Sequence, residues 1–75
     1  MSTVATLQKA IYSNLDTLKS LYQQAEGLRS TIEKVTDNSL KQQLTANYDE
    51  VISTLNRHID TTDDLIRALK RALEE

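Results

Sequence analysis

Two apolar rows with one spacing constrain this chain more than anything else in it. In the second half, Leu44, Tyr48, Val51, Leu55, His58, Thr62, Leu65, Leu69 and Ala72 step by alternating fours and threes. That average of 3.5 residues keeps one seam turned toward a partner helix. Beside it run Ile52, Ile59, Ile66 and Leu73, one every seven residues. Together the rows make an apolar face wider than a two-helix seam covers. One neighbouring helix buries the first row. The second needs further cover, at roughly 1.5–3 kcal/mol per large side chain.

The first half repeats the pattern. Val4, Leu7, Ile11, Asn14, Leu18, Leu21, Ala25, Leu28, Ile32 and Val35 step by threes and fours, and Leu15 and Tyr22 lie one place beyond that seam. The spacing predicts one helix over about residues 3–35, capped by Ser2 or Thr3. Gly27 is the only glycine, and the seam runs through it unshifted, so a tolerated mid-helix glycine is expected, with a kink as the alternative. Thr36-Asp37-Asn38-Ser39 is the clear break, because four small polar residues compete for backbone hydrogen bonds. Ser39 with Gln42 has capping-box spacing, which places a turn at 36–39 and a second helix over about 40–74. Thr61 and Asp64 repeat that spacing inside the second helix, where a break would give a three-helix unit. A continuous helix is the preferred reading, because Ile52, Ile59, Ile66 and Leu73 keep phase across the site and no Gly or Pro interrupts it.

The fold class expected is therefore all-α: one domain spanning 1–75, an antiparallel, coiled-coil-like two-helix hairpin. Dimerisation or a partner helix would complete it to a four-helix bundle. Seam residues whose numbers add to about 76 should face each other, so that Ile32 meets Leu44 and Leu7 meets Leu69. In that register Asn14, His58 and Thr62 fall at one height, with Thr17 and Thr61 near them. Such a polar layer, hydrogen-bonded internally or partly wet, costs stability and can fix register or oligomeric state. A pH switch through His58 and a recognition spot for a polar group are the alternatives.

Composition narrows the chemistry. Seventy-five residues make a thin core that usually needs a staple or an oligomer. There is no Cys, hence no disulfide, thiolate metal site or cysteine nucleophile, and no Pro for sheet-type turns. The formal charge of −2 gives no basic surplus for nucleic acid or anionic lipid. No signal pattern or membrane-length apolar run is visible, so a soluble, cytoplasmic chain is expected. His58 is the sole histidine and has Leu55 three residues before it, which removes the Glu-x-x-His pairs of carboxylate-bridged metal bundles. No phosphate loop, nucleophile elbow or calcium loop is present, so neither catalysis nor a cofactor is expected. The basic cluster Arg67, Lys70 and Arg71 has acids at i,i+4 spacing in Asp63, Glu74 and Glu75, which suits an ion-paired exposed face.

A lone hairpin would leave Leu15, Tyr22, Ile52, Ile59, Ile66 and Leu73 in water, and faces of that kind mark interaction surfaces. Tyr48 lies on the seam, whereas Tyr22 on the second row and Tyr12 outside both rows are better interface candidates. The function expected is a non-enzymatic protein–protein interaction module: an adaptor, small chaperone or inhibitor acting through helix packing and self-association. The alternative is a structural subunit of a larger helical assembly such as a secretion or phage particle. In length and hairpin layout the chain is similar to the small co-chaperones and needle subunits of type III secretion systems. No motif carries that likeness, the proline-containing turn of needle subunits is missing, and shape alone does not imply function.

Overall fold

The structure is a computed structural model, and it describes residues 2–75. Helix α1 spans Thr3–Lys34 and helix α2 spans Asn38–Glu74, packed against each other in a rod of 57 × 15 × 14 Å. A 37-residue helix rises about 55 Å, so α2 runs the full length of the rod, and α1 folds back along it. Helix α2 passes through Asp60–Asp64 unbroken, and the three-helix alternative does not form.

The reversal is shorter and earlier than the sequence suggested. Helix α1 stops at Lys34, and Val35 is already extended, with φ −85° and ψ 132°. The turn is residues 35–37 rather than 36–39, and α2 begins at Asn38 rather than Leu40. The cap explains the shift. Asp37 is extended, and its Oδ1 accepts the Leu40 amide at 2.9 Å. A carboxylate at a helix N-terminus binds the free amides more strongly than the Ser39 hydroxyl would, because its charge opposes the helix dipole. At the other end Ser2 caps α1, with a longer 3.5 Å bond from the Ala5 amide.

The seam follows the sequence throughout. Every expected seam residue of both helices, from Val4 to Val35 and from Leu44 to Ala72, is buried or half-buried, Tyr48 included. Leu21 and Gln24 of α1 line one shallow groove with Val51, Ser53 and Thr54 of α2. Gly27 lies inside α1, has no positive φ, and would bring an added Cβ within 4 Å of nothing.

Two stability changes follow. Asp37→Ala is expected to cost about 1 kcal/mol and Ser39→Ala only a few tenths, measured by urea denaturation. Gly27→Ala is expected to stabilise by about 0.5–1 kcal/mol, seen as a rise in melting temperature of several degrees.

Candidate functional site: one apolar flank of the hairpin

A right-handed helix that runs away from the viewer and one that runs back turn in opposite senses. Residues one step past the seam therefore fall on the same broad flank of an antiparallel hairpin, and residues one step before it fall on the other. The observed groove agrees: Gln24 precedes the seam residue Ala25, Thr54 precedes Leu55, and the two line one depression. The opposite flank thus collects Leu15 and Tyr22 from α1 and Ile52, Ile59, Ile66 and Leu73 from α2. The two second rows form a single strip.

Burial along this strip is graded. Ile52 is half-buried, Ile59 and Ile66 stand at 40% and 38% exposed, Leu15 is similar, and Tyr22 and Leu73 exceed 60%. Tyr12 lies outside both rows in sequence, yet it sits one helical turn before Leu15, so it borders the same flank at 67% exposed. Leu40, beside the turn, is another exposed large apolar residue. Toward the turn the flank becomes polar: Arg29 follows Leu28 and Thr45 follows Leu44. The strip occupies only the half of the hairpin away from the turn. Its rim carries both signs of charge, Lys19 and Glu26 on α1 and Asp49, Asp63 and Lys70 on α2.

Beneath the strip the core is thin. Among the described residues, only Ile11, Ala25 and Thr62 are buried, and no side chain is fully enclosed. The accessible surface is 5769 Å², against about 4,700 Å² expected for a folded monomer of this mass, an excess of roughly 1,100 Å².

The polar positions behave differently from a cross-helix network. Thr62, at 5% exposed, donates its hydroxyl to the His58 carbonyl at 2.7 Å. His58 Nδ1 lies 2.9 Å from the Thr54 carbonyl, which only accepts, so this nitrogen carries the proton. Asn14 Nδ2 donates to the Ala10 carbonyl at 3.0 Å, and Thr17 and Thr61 donate to Ser13 and Arg57. All five bonds stay within one helix, one turn back, the nearest acceptor a helical hydroxyl meets. The layer is therefore satisfied but does not tie α1 to α2, and Thr61 is exposed rather than part of it.

The ion pairs also differ from the sequence pattern. Arg67 pairs with Asp64 at 3.7 Å rather than with Asp63, and Glu26 pairs with Arg29 at 3.2 Å. Neither Lys70 nor Arg71 forms an ion pair with Glu74 or Glu75 among the described residues. Exposed pairs at i,i+3 and i,i+4 differ by only tenths of a kcal/mol, so the choice between them is not coded strongly.

Among the described residues no group of three or more His, Asp or Glu side chains could hold a metal ion, and no helix is long and apolar enough to cross a membrane. The two open depressions, one along α2 from Asn38 to Asp49 and one at the Gln24–Thr54 flank, are shallow surface features. The chain matches no protein-family model, and neither a similar curated protein nor a similar solved structure was found.

Because Asn14 Nδ2 and His58 Nδ1 bond to carbonyls of their own helices, apolar replacements orphan no group on the facing helix. Asn14→Leu combined with His58→Leu is expected to raise stability by roughly 1–2 kcal/mol, read from thermal or urea melts. A lower melting temperature would show that these side chains hold the helices together.

Proposed function

We propose that the chain is a non-enzymatic protein–protein interaction module that acts by helix packing. Its apolar flank receives further helices and completes a four-helix bundle. The observation that carries this reading is the coincidence, among the described residues, of a hairpin without one enclosed side chain and a row of exposed large apolar residues on one flank. Large apolar surfaces rimmed by polar residues mark sites where proteins meet. A bundle supplies the missing layer in the way helices ordinarily do, by packing side-chain rows into one another. Adaptor, small-chaperone and inhibitor roles all use such a surface. A filament subunit needs two different complementary surfaces on each copy, and the described residues present one large strip, which favours a closed complex.

The test is site-specific photo-crosslinking in cells that naturally make the protein. A photoreactive residue at Tyr22 or Ile59 is expected to give discrete protein adducts. The same residue at Ser20 or Arg57, both exposed and on the far side of their helices, is expected to give few. Equal yields at all four positions, or none, would overturn the reading.

A further inference from the structure

We infer that the flank is covered by a second copy of this chain, seated on the half of the hairpin away from the turn. This rests on the interaction-module reading and names its partner.

Three observations support it. The first is area. The excess exposed surface of roughly 1,100 Å² per chain compares with about 800 Å² that each partner contributes to a stable interface of standard size. The surplus is spread over the whole rod, and a second hairpin of the same length is large enough to supply cover on that scale. The second is charge. The rim of the strip mixes both signs, and each chain carries a formal −2. Two copies repel little, and no one-sign field is present that would select an oppositely charged foreign partner. The third is obligation. A hairpin without an enclosed side chain needs its cover whenever it is folded, and another copy is present wherever the chain is made.

The position of the strip then divides the molecule. From Ile52 to Leu73 the strip extends about 32 Å of the 57 Å rod. Only that half gains a four-helix core. The half toward the turn, with Arg29 and Thr45 on the same flank, stays a two-helix projection.

Sedimentation equilibrium and amide hydrogen exchange on the whole chain test this. The expected mass is twice 8.5 kDa, with exchange slowest over residues 4–22 and 52–72 and at least tenfold faster over 24–50. Ile66→Arg is expected to lower the dimer's affinity by a hundredfold or more, while Thr45→Arg, on the same flank beyond the strip, leaves it unchanged. If Ile66→Arg fails to fold, the exchange pattern of the unaltered chain still decides the matter. A helical monomer at every concentration overturns the second-copy partner, as does a dimer lost on Thr45→Arg but kept on Ile66→Arg. Exchange that is equally slow in both halves overturns the location. The interaction-module reading is judged separately. Flank-specific crosslinks to other proteins beside a purified monomer would sink this inference and leave that reading standing.

Discussion

Two helices meet along a line, and a line encloses nothing. That constraint governs this molecule. Each seam side chain is covered on the side facing the partner helix and left open above and below. Even Ile11 retains 9% of its exposure, and no large residue is sealed. The most buried positions are the small ones, Ala25 and Thr62, because only a short side chain fits wholly between two helix backbones. Larger residues such as Leu55 and Tyr48 reach past the seam and stay half-wet. The hydrophobic gain per residue is thus a fraction of what a globular core provides, and the length of the seam compensates for its thinness.

Helix properties that need no partner were the most legible. The seam, its continuity through Asp60–Asp64 and the antiparallel layout all follow from periodicity, which accumulates over ten or more residues and is hard to mistake. Local choices were harder. Two capping patterns overlap at the turn, Asp37 ahead of Leu40 and Ser39 ahead of Gln42. A carboxylate beats a hydroxyl at that position, and the helix gains two residues by starting early. Spacing favoured the box, whereas the chemistry of the acceptor decided. Arg67 pairing with Asp64 rather than Asp63 is a choice between identical carboxylates that differ by only tenths of a kcal/mol, too small for spacing to decide.

The polar layer shows a different limit. Heptad position correctly put Asn14, His58 and Thr62 at sheltered seam sites, but it does not say where their hydrogen bonds go. In a helix every one of these side chains has a carbonyl one turn back within reach, and each takes it. A bond to the same helix needs no alignment between the two helices, so none of these bonds fixes the register between α1 and α2. Tyr12, named as an interface candidate although outside both rows, stands exposed beside Leu15. A row defined by sevenfold repeats misses a residue one turn away from it, although on the helix surface such a residue is a neighbour.

The flank turns these packing facts into behaviour. For most small domains folding comes first and binding adds to it, because the core is complete in the monomer. Here no described element covers Leu15, Ile59 and Ile66 fully, so on the proposed reading much of the free energy that would hold the helices together comes with the partner. The long seam holds the two helices together with a thin core, and with marginal stability even about 1–2 kcal/mol shifts the folded fraction several-fold. Cover over one half of the rod, as proposed, would confine the firm region to that half and leave the turn-side helices with a lower local opening energy. On the proposed reading, such a chain would respond to the concentration of whatever covers its flank.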